Sequence, residues 1–196
     1  YTWSINNVGL GENLQTALAY WRGGENDNAY KLFKSTLVES MYGSASPGGF
    51  QQLSFYDAIR GELYRDFADG IGTTARTVTE GLFGILPDAL NDKLVIKPGF
   101  PTDWKFAKLS VPDISIDFKQ DKNITTYNIV QSYNKLLNVT LQLKALKDKV
   151  VSVMVNGKPA KWNWLQNVVG QPMLEIITGK EKQLSIKINW AGNDFE

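Results

Sequence analysis

The stretch Val151-Ser-Val-Met-Val155-Asn156-Gly157 predicts a β-hairpin and sets the fold class of the second half of the chain. Its β-branched valines favour a strand, and Asn-Gly is the strongest two-residue signal for a tight hairpin turn. Trp162-Asn-Trp164 follows, with two tryptophans spaced so that both project from the same face of a strand. Neighbouring strands in this region are therefore predicted to be antiparallel.

The rest of the second half repeats this strand pattern. From Lys93 onward, apolar and polar residues alternate with a period of two, and turn residues such as Pro112-Asp113 and Gly179-Lys180 separate the runs. Short strands at this spacing are typical of an antiparallel β-sandwich. The predicted strands span residues 93–97, 106–111, 113–118, 123–131, 136–144, 149–155, 172–178 and 182–189.

The start of the chain has the period of two helices that form a helical hairpin. The first is predicted from Glu12 to Arg22 and is closed by Gly23-Gly24, and the second runs from Asn26 or Asp27 to Tyr42. The residues predicted to be buried are Leu14, Ala17, Leu18 and Trp21 on the first helix, and Tyr30, Phe33, Leu37 and Met41 on the second.

A further helix is predicted to begin near Gly72 or Thr73 and to break at Gly84 and Pro87. Helical turns are also expected around Asp57 to Tyr64. The predicted fold class is therefore α+β, with a helical segment at residues 1–92 and a β-sandwich domain at residues 93–196.

The composition excludes several classes of chemistry. The chain has 196 residues, 43% of them apolar, with no cysteine and no histidine. Disulfides, thiol nucleophiles, Ser-His-Asp triads and the usual zinc sites are therefore ruled out, and no metal or cofactor is expected. Any catalysis has to use carboxylates, hydroxyls, lysines or tyrosines.

The charges are divided unevenly between the two halves. Residues 1–95 carry 7 of the 21 basic and 11 of the 20 acidic residues, so the second half is basic. The arginines (Arg22, Arg60, Arg65 and Arg76) all lie in the first half. Since the basic half has only lysines, it lacks the forked donors that favour nucleic-acid recognition. We interpret these lysines as a solvated sheet surface and expect no nucleic-acid partner.

The chain is interpreted as part of a longer protein. It has no signal peptide and no apolar run long enough to span a membrane, and its first residue is Tyr1. The missing N-terminal part of the same protein is then an expected partner. The absence of cysteine is compatible with export, and a periplasmic or secreted location in a bacterium is expected.

Asp69 is the carboxylate of the first half that differs from its neighbours, because it precedes Gly70 and Gly72. A carboxylate on a tight loop before a helix can be held by backbone N–H groups, stay ionised and act as a general base. The simpler alternative is a turn or N-cap aspartate. For Glu80, an i,i+4 pair with Arg76 is the simpler interpretation.

Trp162 and Trp164 allow two interpretations. Apolar sugar faces stack on aromatic rings, so two tryptophans on one face of a strand could form a glycan platform. Packing between domains is the alternative.

Several motifs resemble the C-terminal end of a six-hairpin glycosidase, an enzyme with a catalytic (α/α)6 barrel followed by a small β-sandwich. They are the helical hairpin, the Asp-Gly loop, Glu80-Gly-Leu-Phe-Gly-Ile-Leu-Pro-Asp88 and Pro98-Gly-Phe-Pro-Thr-Asp-Trp104. The tail from Glu80 to Trp104 is similar to that of sugar phosphorylases and rhamnosidases of this superfamily. The region from Trp21 to Glu80 is most similar to family 95 α-fucosidases, and the uncharacterised domain of unknown function 4450 is an alternative family.

The resemblance implies a role for Asp69. In the fucosidase-like pattern an Asp-Gly-Asn-Phe-Gly-Gly-Thr loop comes eleven residues before a helix glutamate, which is the spacing of Asp69 and Glu80. Asp69 then corresponds to the general base, although Ile71 replaces the asparagine and Thr73-Thr74 replace the paired glycines. Ala68-Asp69-Gly70 does not match the Thr-Gly-Ser phosphate loop of the phosphorylases, so hydrolysis is favoured over phosphorolysis.

The resemblance therefore implies the last helices of an (α/α)6 barrel and an antiparallel β-sandwich, from a glycoside hydrolase acting on oligosaccharides or polysaccharides. Asp69 is the candidate general base, and Arg76, Trp162 and Trp164 are candidates for substrate binding. The general acid is expected on an earlier helix outside this chain, so the chain alone is expected to be inactive. The alternative is a non-catalytic carbohydrate-binding or structural module, in which Trp162 and Trp164 make the contact.

Overall fold

A computed structural model describes residues 10–41, 68–166, 168 and 170–195. The helical turns predicted around Asp57 to Tyr64 lie outside these residues. The chain divides into two compact units, which we call the helical unit, Tyr1–Leu82, and the sheet unit, Phe83–Glu196. The sequence places this boundary later, after residue 92.

The helical unit contains the predicted helical hairpin. Helix α1 spans Leu10–Arg22 and helix α2 spans Asn26–Met41. The predicted stop at Gly23-Gly24 is confirmed, because the N–H of Gly23 donates to the Ala19 carbonyl at 3.0 Å and closes α1. The predicted buried face of α1 is confirmed as well, and Trp21 contacts the ring of Phe33 on α2 with the centroids 5.7 Å apart.

The predicted buried stripe of α2 is partly wrong. Phe33 is buried, but the other three predicted residues are only half-buried. The buried residues are instead Asn26, Ala29, Phe33, Thr36 and Ser40. Small side chains let two helices approach closely, and the hydroxyl of Thr36 donates to the Leu32 carbonyl at 2.9 Å, so its burial leaves no polar group unpaired.

The last helix of the helical unit begins earlier than predicted. Helix α3 spans Ala68–Arg76 and continues as a π-helical segment, Thr77–Leu82. Gly70 and Gly72 therefore lie inside a helix, where each glycine costs about 1 kcal/mol relative to alanine without forbidding the conformation. The predicted break at Gly84 is confirmed, because the helix ends at Leu82 and Gly84 has a left-handed backbone with φ of 64°.

The sheet unit consists of eleven described strands in two sheets. The five-stranded sheet has the order β1-β2-β6-β10-β9, and the six-stranded sheet has the order β3-β4-β5-β11-β7-β8. The strands are β1 Ile85–Asp88, β2 Lys93–Ile96, β3 Phe106–Val111, β4 Ile114–Asp121, β5 Ile124–Gln131, β6 Asn138–Lys144, β7 Lys147–Val155, β8 Lys158–Pro159, β9 Lys161–Trp164, β10 Met173–Gly179 and β11 Gln183–Asp194.

All eight predicted strand ranges are present, whereas β1, β8 and β9 are not among them, although a strand carrying Trp162 and Trp164 was expected. Strands β1 and β8 each contain a proline, Pro87 and Pro159, which counts against a strand in a sequence pattern. Each lies at an edge of its sheet, where a missing N–H leaves no ladder bond unmade. The predicted hairpin is confirmed, because Val155 pairs with Lys158 across Asn156-Gly157.

The sheet unit is β-sandwich-like, but its strands are not all antiparallel as predicted. Strand β2 pairs in parallel with β6, with Leu94 opposite Val139 and Ile96 opposite Leu141. Between these strands the chain runs through β3, β4 and β5 of the other sheet and returns in the same direction, which is the long crossover that a parallel pair requires. The three helices among the described residues do not by themselves make the (α/α)6 barrel that the resemblance implies.

The core of the sheet unit comes from alternate residues of both sheets. The five-stranded sheet buries Leu94, Ile96, Val139, Leu141, Leu174 and Ile176, and the six-stranded sheet buries Ile116, Ile129, Leu184, Ile186 and Ile188. Burial of each such side chain contributes about 1.5–3 kcal/mol. An aromatic row extends this core, with Phe100 in contact with Phe83 at 5.2 Å and with Phe118 at 4.8 Å between ring centroids.

Asp92 ties together three strand ends of the five-stranded sheet. It has a left-handed backbone with φ of 55° between β1 and β2. Its carbonyl accepts the backbone N–H of Asn138, at the start of β6, at 2.8 Å. Its carboxylate accepts from Lys135 and, at 2.9 Å, from Lys180, which follows β10. These two hydrogen bonds to lysines lower the pKa of the Asp92 carboxyl below its usual value.

This lowered pKa predicts a contribution to stability that depends on pH. Because the pKa is lower in the folded chain, the contribution is fully present above the unfolded value of about 3.9 and is lost as the pH falls through the folded pKa. Asp92→Asn should remove this part of the acid dependence and change stability most near neutral pH. Denaturant unfolding from pH 7 to pH 3 measures it, with the exposed Asp121→Asn as the control. An unchanged pH profile for Asp92→Asn would contradict the prediction.

Candidate functional site

Asp69 lies in the first described turn of α3. The predicted tight loop before a helix is therefore replaced by helical backbone on both sides of Asp69. Arg76 follows Asp69 by seven positions, which is about two turns of α-helix. Helix α3 thus contains both candidate site residues that the sequence predicts in the helical unit, Asp69 and Arg76.

Arg76 and Glu80 form the predicted i,i+4 pair. The Nε of Arg76 donates to Oε1 of Glu80 at 2.9 Å, and this hydrogen bond raises the pKa of the arginine. Arg22, at the end of α1, adds a second guanidinium, with its Nη2 3.6 Å from the other carboxylate oxygen of Glu80. Glu80 therefore holds two arginines from different helices, and we call these three residues the arginine–glutamate cluster.

The π-helical segment places Glu80 beside α1. Gly81 lies against the buried Trp21 so closely that an added Cβ would overlap the indole ring. Two consecutive residues of the segment, Glu80 and Gly81, thus meet two consecutive residues of α1, Arg22 and Trp21. Short π-helical segments are found frequently at functional sites. The sequence does not indicate this register, because it depends on a contact between residues far apart in the chain.

The tryptophans of the sequence interpretation lie in the sheet unit, on the edge strand β9. Trp162 is opposite Ile176 and Trp164 is opposite Leu174, so both share a face with fully buried residues of β10. Both are half-buried, and their rings meet edge to face, with centroids 6.0 Å apart and an interplanar angle of 87°. Rings in this arrangement do not form one flat stacking surface.

Neither a metal-binding cluster of carboxylates nor a membrane-spanning helix is found in the described part of the chain. No group of three or more Asp or Glu residues there is arranged to hold a metal ion. None of its helices is both long and apolar enough to cross a membrane.

Comparison with known proteins gives a likeness to solved structures only. No protein-family model and no curated protein matches this chain. An α-L-rhamnosidase from Dictyoglumus thermophilum is similar over 64% of this chain, with 12% identity and a TM-score of 0.42. A protein described as a kojibiose phosphorylase from the human microbiome is similar over 93%, with 14% identity and a TM-score of 0.43. The chain spans 14% and 20% of the lengths of these two proteins. Likeness at this level does not show a shared activity.

Proposed function

We propose that this chain is part of a glycoside hydrolase and that Asp69 is a catalytic carboxylate of that enzyme. The observation that carries the proposal is that one helix, α3, contains both Asp69 and Arg76 and continues into the π-helical segment that contains Glu80. The motif resemblance supports the choice of reaction, because Asp69 and Glu80 have the spacing of the fucosidase-like pattern. The order of a helical unit followed by a β-sandwich-like unit also agrees with that pattern.

Hydrolysis of a glycosidic bond with inversion needs two carboxyl groups about 6.5–9.5 Å apart. One protonates the leaving oxygen, and the other removes a proton from the attacking water. Asp69 is proposed as the base, and the acid is proposed to come from a part of the protein outside this chain. The chain alone is then expected to bind substrate weakly and to have no turnover.

Arg76 is proposed to contact the substrate. Its Nε is engaged by Glu80, and this contact fixes the orientation of the guanidinium while the side chain stays 48% exposed. A planar guanidinium held in this way has further N–H donors for sugar hydroxyls. Glu80 is proposed as a positioning residue, since two arginines already occupy its carboxylate oxygens.

Asp69→Asn in the longest natural form of the protein tests the proposal. Turnover of a panel of aryl glycosides and oligosaccharides should fall by about a thousandfold or more, because the amide cannot accept the proton from water. Asp121→Asn, on an exposed strand end of the sheet unit, is the matched control and should keep full activity. Circular dichroism must show that both variants fold.

Two outcomes would contradict the proposal. Equal turnover by Asp69→Asn and the unmodified protein would leave Asp69 a helix residue without a catalytic role. If no glycoside is hydrolysed, but a saccharide binds and Trp162→Ala or Trp164→Ala abolishes binding, the protein is a carbohydrate-binding module.

A further inference from the structure

The sheet unit has an open groove where the chain crosses from one sheet to the other. Strand β8 is the edge of the six-stranded sheet, and β9 is the edge of the five-stranded sheet. A single residue, Ala160, separates them, and its N–H donates to the Val153 carbonyl at 3.0 Å. The groove encloses about 380 Å³ between this crossing and the end of β10. That volume suits a small ligand of one or two sugar rings.

The walls of the groove are fixed by internal hydrogen bonds. The side chain of Asn156 donates to the Gln183 carbonyl at 3.1 Å and accepts the backbone N–H of Ser185 at 2.8 Å. On the other side, the hydroxyl of Thr178 donates to the Val139 carbonyl at 2.9 Å. Since these polar groups are engaged by the protein, the groove has its shape before any ligand arrives.

Three charged residues belong to the lining of the groove. Lys158, Lys161 and Glu181 line the groove, and all three are exposed. Within the described residues, no ion pair involves either lysine. The lining therefore has an excess of positive charge with its ammonium donors uncommitted. Pro159 and Ile177 add apolar surface beside them, and Ile177 is 53% exposed.

We propose that this groove binds an acidic saccharide, with the ammonium groups of Lys158 and Lys161 on its carboxylate or sulfate and with Pro159 and Ile177 against a sugar ring. The choice of a saccharide rests on the proposed function. The choice of an anionic one rests on the two lysines, because a neutral sugar would leave their charge without a counterpart. Glu181, the acidic residue of the lining, opposes the anion.

Calorimetric titration of this chain with digalacturonate tests the inference. The methyl ester of digalacturonate serves as the neutral disaccharide. A sulfated disaccharide tests binding of a sulfate in place of the carboxylate, and acetate tests a carboxylate without a sugar ring. Lys158→Gln and Lys161→Gln should each weaken disaccharide binding roughly tenfold, the usual size of one hydrogen bond between charged groups. Glu181→Gln should strengthen binding. Lys108→Gln, an exposed lysine at the opposite edge of the six-stranded sheet, should change nothing.

Binding of either acidic disaccharide with this pattern of variants supports the inference, and the tighter of the two identifies the anion. Equal binding of the methyl ester, no effect of the lysine variants, or no saturable binding would overturn it. Binding is measured without turnover, so the result does not depend on the proposed catalytic role of Asp69. If the disaccharides do not bind but hydrolysis depends on Asp69, only the inference about the groove is refuted. If they bind but hydrolysis does not depend on Asp69, only the proposed function is refuted.

Discussion

Gly84→Ala should unfold the sheet unit or lower its stability by about 4 kcal/mol or more. Gly84 has φ of 64°, a conformation that costs an alanine about 1 kcal/mol or more. A Cβ there would also overlap the backbone carbonyl of Lys97. The N–H of Lys97 donates to the Gly84 carbonyl at 2.8 Å, so any movement that relieves the overlap breaks a bond beside the pairing of β1 with β2. The backbone at Lys97 cannot move aside as a flexible side chain can, and the expected decrease in stability is therefore large.

Gly157→Ala is the matched control, because Gly157 has a similar φ of 76° and no atom near an added Cβ. Gly157→Ala introduces only the strain of an alanine in a left-handed backbone, so we expect its free energy of unfolding to fall by about 1 kcal/mol. Urea unfolding followed by tryptophan fluorescence and circular dichroism compares the two variants with the unmodified chain. Losses of equal size would show that the contact with Lys97 costs nothing and would contradict the prediction.

Gln131→Leu should lower the free energy of unfolding by about 3–5 kcal/mol. Gln131 is fully buried at the end of β5, where the chain leaves the six-stranded sheet. Its amide donates to the carbonyls of Leu137 at 2.9 Å and Glu181 at 2.8 Å, and its oxygen accepts the Leu137 N–H at 2.9 Å. Leucine has a similar volume but leaves these backbone groups unpaired, at about 1–3 kcal/mol for each buried one.

The same substitution at Gln142 separates this effect from a general loss of polarity. Gln142 donates to Glu175 at 2.8 Å and is only half-buried, so water can replace the lost bond. Gln142→Leu should therefore change stability by less than about 1 kcal/mol. Thermal and urea unfolding of both variants measure the difference. If Gln131→Leu lowers the stability no more than Gln142→Leu does, the three hydrogen bonds of the Gln131 side chain do not hold the crossover between the sheets.

Local patterns explain what could be predicted of the sheet unit. The predicted strand at residues 123–131 is β5, and its alternate residues Tyr127, Ile129 and Gln131 are all buried. The partners of Gln131 are Leu137, just before β6, and Glu181, just before β11, so no local pattern shows that the buried amide has hydrogen-bond partners. Strand β1 could not be predicted for a related reason. It contains Pro87, which a strand tolerates only at the edge of a sheet, and this position follows from the pairing of β1 with β2.

The helical unit shows the same division. The pair of Arg76 and Glu80 was predicted because i,i+4 neighbours on a helix always face each other. Arg22 joins them only through the contact of α1 with the π-helical segment. The buried face of α2 was predicted from its large apolar residues, but the residues that the structure buries include small ones such as Ala29 and Ser40.

The sequence by itself determined the type of most described elements, because the backbone periods of 2 and 3.6 are local and their residues are neighbours in the chain. It also determined the hairpin at Asn156-Gly157, where two residues carry the turn. Tertiary structure alone decided the parallel pairing of β2 with β6, the contact of Arg22 with Glu80, and the groove between β8 and β9. These features depend on which surfaces meet, and that follows from the free energy of the whole fold and not from any one segment.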